Sequence, residues 1–266
     1  MPQLTDPYLH ITNVLSFDDI EYLKKMCKRH LFRERMPCFV LIQDLEAPTV
    51  IKIKAAIEKR MNEPLYYLND FYMYTDSSFK ASWHMDTELF SFDDAVNAWI
   101  LLSPNLIESP LAFVSSINRQ PENTFHNVRV AGDACKFANY CTGEETTISL
   151  RKIEAERIQS PCVEVGDILL FNPKQFHRTN VNFAKHVLVL KFLIKGAHGF
   201  LAGSQVDATL WPEVGMFNEF LKDAKTWDNV LDRVRDALKN DDGRKALSAG
   251  FYPDRFALYR RMVASL

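Results

Sequence analysis

The sequence predicts a mostly β protein with flanking helices: an antiparallel sandwich or barrel in the middle of the chain, with helices before it and a helical extension after it. Three observations point there. Six short segments between residues 65 and 196 read as strands: "YYLNDFYMYT", "AVNAWILLS", "PLAFVSS", "TTISLRKI", "CVEVGDILLF" and "KHVLVLKFLI". Turn residues rather than long helices separate them, which disfavours alternating βαβ units. On both sides of this region the apolar positions return every three to four residues, the helical period.

Taken in order, Ser16 before "FDDIEYLKKMCKRHLF" reads as an N-cap followed by acidic residues in the first turn, so the first helix starts there. A second helix runs through "APTVIKIKAAIEKRM", with Pro48 near its start, and stops before the aromatic, strand-like "NEPLYYLNDFYMY". Residues 117–145 are polar and show neither period, so they are expected to form a lid-like insert. Beyond Gly199 the helical period returns, in a stripe from Met216 through Phe220, Trp227, Leu231 and Val234 to Leu238. That stripe is expected to pack on the chain's own core; a homodimer through the C-terminal helices is its other use. The expectation is a single domain over residues 1–266, with a β core at about 65–196 and a C-terminal helical extension at about 200–266.

A chain of 266 residues that is 47% hydrophobic can bury a substantial core. Its net charge is -2 and its 32 Lys and Arg residues are scattered, which argues against nucleic acid or an anionic membrane as partner and favours a small molecule or a protein. No apolar run approaches the roughly 18 residues of a membrane span, and the start lacks a basic segment followed by an apolar one, so a cytoplasmic protein is expected. The five cysteines are odd in number and show no CxxC spacing, which points to free, mostly buried thiols rather than a disulfide framework or a zinc knuckle.

The chemistry-bearing stretch is "WHMD" at residues 83–86. Two residues separated by one in an extended segment face the same way, so His84 and Asp86 can both reach one metal ion. The third candidate, His177, follows the strand-like run in "VGDILLFNPKQFHRTNVN". Two His and one carboxylate on one face of a metal make the facial triad of non-haem Fe(II) oxygenases. By itself HxD is weak, because seven His and 34 acidic residues produce it by chance.

The surrounding order of segments is more specific. "WHMD" at 83–86, "NAWILLSP" at 97–104, "SPLAFVSSIN" at 109–118 and "VGDILLFNPKQFHRTNVN" at 165–182 follow one another as in the phytanoyl-CoA dioxygenase-like family of Fe(II)- and 2-oxoglutarate-dependent oxygenases, which the chain resembles over about residues 65–195. The resemblance implies a double-stranded β-helix, or jelly roll, with the metal at its open end. It implies Fe(II), 2-oxoglutarate and O₂ as cofactor and cosubstrates, and His84, Asp86 and His177 as iron ligands, with no catalytic side chain needed beyond them. Related halogenases replace the carboxylate ligand by a small residue, so an intact Asp86 favours hydroxylation or another hydrogen-abstraction outcome.

The chain departs from the family at one point. An Arg on the last barrel strand normally holds the distal carboxylate of 2-oxoglutarate, and here the matched position falls on Lys185, with His186 beside it and Arg178 adjacent to the metal ligand. Lys neutralises a carboxylate as a point charge without the bidentate fork of Arg. Lys185 is the first choice for this role; Lys191 shares its strand face but lies roughly 20 Å further along, at about 3.3 Å per residue. Asn97 and Trp99, two apart on the strand after the HxD, face one way and are expected to line the cosubstrate pocket. The substrate expected is a small metabolite or natural-product intermediate.

Two other functions use the same residues. A zinc hydrolase takes the same ligand types, although the helical HExxH pattern is absent. A non-catalytic jelly roll would bind a small ligand or partner and tolerate the loss of Asp86.

Overall fold

The computed structural model describes residues 6–34, 41, 44–75, 83, 95–103, 110–114, 125–131, 134–139, 145–149, 158–173, 175–179, 185–194, 227–237, 239, 240 and 242. After strand β1 (Leu9–Ile11) come helices α1 (Phe17–Glu34) and α2 (Pro48–Met61). Strands β2 (Tyr66–Thr75), β3 (Ala95–Leu101) and β4 (Leu111–Val114) follow. Then come β5 (Phe125–Ala131), β6 (Ala134–Asn139), β7 (Glu145–Ser149), β8 (Ile158–Gln159), β9 (Ile168–Phe171), β10 (His177–Thr179) and β11 (Lys185–Leu193). The last described helix is α3 (Trp227–Ala237).

The helix starts are built as the residue types require. Ser16 caps α1 reciprocally with Asp19: the Ser16 amide donates to the Asp19 carboxylate at 2.9 Å, and the Asp19 amide donates back to the Ser16 hydroxyl at 3.3 Å. Thr49 Oγ1 and Lys52 Nζ of α2 donate to the same carboxylate at 2.9 and 2.6 Å, so one acid ties both helices together. The Lys52 ammonium, with Ser16 and Thr49, holds the Asp19 carboxyl well below the usual carboxylate range against the opposing effect of burial. Because the folded value lies below the unfolded one, the resulting stability is fully present above about pH 4 and is lost as pH falls toward the folded value. Asp19→Ala is therefore expected to cost about 1 kcal/mol at pH 7. The gap between wild-type and variant urea midpoints should shrink at pH 3, and a gap that persists there would contradict the account.

Strand order defines the architecture. One antiparallel sheet runs β1-β9-β3-β11-β2 and a second runs β10-β4-β8, so the chain passes repeatedly from one sheet to the other. This interleaving is that of a jelly roll, the double-stranded β-helix expected from the sequence. Central β3 shows the consequence of being covered on both faces. Val96, Ala98 and Ile100 belong to the cluster shared with the helices, whereas Trp99 and Leu101 belong to the cluster between the sheets. The same alternation puts Leu188, Leu190 and Phe192 of β11 on the helical side and Val187 and Val189 inside. Ile20, Leu23, Met26 and Cys27 of α1, Ile53 and Ile57 of α2, and Leu231 and Val234 of α3 cover the outer face.

That packing occupies the described part of the C-terminal stripe against the chain's own core, as expected; the stripe before Trp227 and Leu238 at its end lie outside the described residues. No described helix is long and apolar enough to cross a membrane. Of the two cysteines whose state is described, Cys27 is buried and Cys162 exposed, both as free thiols. Burial and the nearby Asp70 push the Cys27 thiol well above its ordinary range, which makes it an inert core residue.

The local structure of three segments differs from their sequence reading. The aperiodic stretch expected as a lid-like insert, residues 117–145, contains strands β5 and β6, which pair antiparallel and form a separate three-stranded sheet with β7. "TTISLRKI" accordingly contributes β7 to that sheet rather than to the β core. The first half of "CVEVGDILLF" is a turn. Gly166 has φ +88°, donates its amide to Leu101 O at 3.0 Å, and leaves a Cβ only 3.1 Å from Leu15 O. Asp167, almost fully buried, accepts from the Glu164 amide at 3.0 Å, from the Asn13 amide at 3.2 Å and pairs with His10 Nε2 at 2.8 Å. The Gly-Asp pair thus fastens the N-terminal strand to the start of β9. Gly166→Ala is expected to cost about 1 to 3 kcal/mol through backbone strain; an unchanged urea midpoint would show that the turn relaxes freely.

Candidate metal centre

His177 opens β10, opposite Phe113 of β4, and is 3% exposed. Its ring lies in the space between the sheets, 4.8 Å from the Phe171 ring and 6.0 Å from the Phe113 ring, centroid to centroid. The Nδ1 atom is 2.8 Å from the carbonyl oxygen of Gln175. A carbonyl only accepts, so Nδ1 carries the proton and Nε2 carries the lone pair, the tautomer that a metal-binding imidazole needs. Gln175 is itself held: its side-chain amide donates to Val114 O at 2.7 Å and its backbone amide to Asn172 O at 2.7 Å. The tautomer of His177 therefore rests on a turn fixed at two points.

His84 and Asp86 lie outside the described residues, but Trp83, the chain neighbour of His84, is described and 2% exposed. Its indole stacks on Phe176, with centroids 5.5 Å apart and planes inclined by 7°. The Arg178 guanidinium carbon lies 4.7 Å from the centroid of the same indole. The residue before His84 is thus packed against the residues immediately before and after His177. Two segments far apart in sequence meet at Trp83 and Phe176, the chain neighbours of the candidate ligands His84 and His177. A His and carboxylate set of this kind fits a divalent first-row metal.

The other expected residues sort by register. Asn97 and Trp99 are buried, 0% and 3% exposed, and both sit at interior positions of β3 as the alternation required. Lys185 is the first residue of β11, opposite Thr75. His186 sits at the parity of Leu188 and Leu190, on the helical side, where its Nδ1 lies 3.4 Å from Tyr72 Oη. That removes His186 as an alternative anchor for a ligand between the sheets. Arg178 is engaged over Trp83. Sequence reasoning gave no role to Phe176 or Gln175; the one available signal was that an aromatic residue precedes each of the two candidate histidines, His84 and His177.

Comparison with known proteins bears on the fold. No family model matches the chain, and no curated protein does. Among solved structures, the non-haem α-ketoglutarate-dependent carbocyclase SnoK from nogalamycin biosynthesis superposes with a TM-score of 0.54 at 13% identity, over 72% of this chain and 81% of SnoK. The chain has the fold of a non-haem α-ketoglutarate-dependent enzyme. The epimerase SnoN from the same biosynthesis gives 0.50 at 14% identity, over 72% of this chain and 80% of SnoN. EctD from S. alaskensis gives 0.50 at 15%, over 77% of each chain. At such identities the likeness concerns the fold alone, and the roles of individual residues rest on the geometry above.

Proposed function

We propose that the chain is an Fe(II)- and 2-oxoglutarate-dependent oxygenase acting on a small metabolite or natural-product intermediate. The observation that supports this most is the stack of Trp83, the chain neighbour of His84, on Phe176, the chain neighbour of His177. With bound iron, 2-oxoglutarate and O₂ supply the oxidising power to remove hydrogen from a substrate C–H bond, the keto acid leaving as succinate and CO₂. The residues named here do the rest. His84, Asp86 and His177 are the residues that would hold the metal. Gln175 O keeps the proton of His177 on Nδ1. Phe113, Phe171, Trp99 and Val189 keep the space between the sheets apolar, which excludes water from the reacting groups.

Hydroxylation is the default outcome for a site that retains its carboxylate ligand. Carbocyclisation and epimerisation, the reactions for which SnoK and SnoN are named, are other uses of the same hydrogen removal. The natural-product lean draws on those two neighbours. The test is incubation of the anaerobically Fe(II)-loaded protein with 2-oxoglutarate, then O₂, against a panel of small metabolites, reading succinate. Substrate-stimulated succinate supports the proposal. Hydrolysis by a zinc-loaded form with no succinate from the iron form would replace it by the hydrolase reading.

A further inference from the structure

We infer that Lys191, not Lys185, holds the distal carboxylate of 2-oxoglutarate, an inference that rests on the proposed function and assigns one of its residues. β11 is apolar on both faces from Val187 to Phe192 except at Lys191, which is 4% exposed. Its position has the parity of Val187 and Val189, so it belongs to the interior between the sheets rather than to the helical side. Lys185 shares that parity but is the first residue of the strand, whereas Lys191 lies within the buried run and is itself buried. Lysine is rarely buried to this degree, because an ammonium taken from water requires compensating polar or anionic groups. A site that receives a dicarboxylate has a use for such a charge.

Register places it at the right level. Lys191 is opposite Asn97 on β3, and Asn97 is opposite Phe171 on β9, so the three form one row across the sheet. Phe171 is the residue whose ring lies 4.8 Å from that of His177. Lys191 is therefore two strand spacings, about 10 Å between backbones, from the residue against which the metal-binding imidazole rests. A five-carbon diacid bound to a metal at one end and to an ammonium at the other spans an interval of that order. Asn97, fully buried beside Lys191, brings an amide into the same row. Lys185 stands six residues back along β11, roughly 20 Å away. His186 faces the helices, and Arg178 covers Trp83.

The test measures binding rather than turnover. Anaerobic calorimetry on Fe(II)-loaded protein would compare 2-oxoglutarate with 2-oxopentanoate, which keeps the keto-acid end and replaces the distal carboxylate by a methyl group. Lys191→Met should weaken 2-oxoglutarate on the order of 10- to 100-fold, the effect of one charge-assisted hydrogen bond, and leave 2-oxopentanoate unchanged. Lys185→Met should change neither. Lys191→Gln, measured alongside, keeps a polar group at the position and gives the same reading should the Met variant not fold. Equal loss of both keto acids would make Lys191 a structural residue and overturn the inference. So would a selective loss in Lys185→Met instead. Failure of the wild-type protein to bind 2-oxoglutarate at all would overturn the proposed function itself, a result distinct from either.

Discussion

Asp86→Ala is expected to abolish substrate-dependent conversion of 2-oxoglutarate to succinate. Asp86 supplies the only anionic side chain of the proposed ligand set, and two neutral imidazoles are a poor site for Fe(II), whose retention in such centres depends on the hard carboxylate oxygen. Fe(II) binding, followed anaerobically by equilibrium dialysis, should weaken in step with activity, while the urea midpoint stays close to wild type. Full succinate release from the variant would end the facial-triad assignment. Retained Fe(II) with lost turnover would restrict the role of Asp86 to the chemistry itself.

The second large effect belongs to Trp83. Removing a fully packed indole costs about 3–5 kcal/mol, a sizeable share of the total of about 5–15 kcal/mol that holds a domain together. The face on which Arg178 rests disappears as well. Trp83→Ala is therefore expected to lower the urea midpoint steeply and to weaken Fe(II) binding, because the joint between the two ligand segments is lost. Trp83→Phe keeps a stacking surface and should retain most of both. A double-mutant cycle between Trp83→Ala and Phe176→Ala isolates the stack, and a coupling of about 1 kcal/mol is expected. Zero coupling would mean that the two rings merely share a pocket.

Much of the fold was legible because strand identity is a local property. The stretch from Tyr66 to Thr75 and that from Lys185 to Leu193 were readable from β-branched and aromatic content alone, and the Ser16 cap and the Pro48 start announced the two helices. Strands β5 and β6 escaped notice because their residues do not alternate strictly apolar with polar, although β7, the third strand of their meander, was legible in "TTISLRKI". β1 and β10 are three residues each, too short for any period to show. The Gly-Asp before β9 looked like the entry to a strand and proved to be a clamp on the N-terminal segment, since a positive φ and a long-range His10–Asp167 pair leave no trace in neighbouring residues.

The sequence by itself determined an antiparallel β sandwich or barrel between helices, through its strand-like segments and helical periods, and its resemblance to a known family implied the jelly roll and the three candidate ligands. Tertiary structure decided which side chains share a level with His177. That depends on how strands slide against one another, and with a side-chain period of two a single-residue change of register exchanges the faces. Read along the chain, the family spacing favours Lys185, with His186 beside it, and sets Lys191 aside. Pairing across β11, β3 and β9 separates them into the far end of a strand, its helical face, and the row that adjoins His177. The stack that joins Trp83 to Phe176 is likewise a contact between residues distant in sequence, formed only when the β-helix closes.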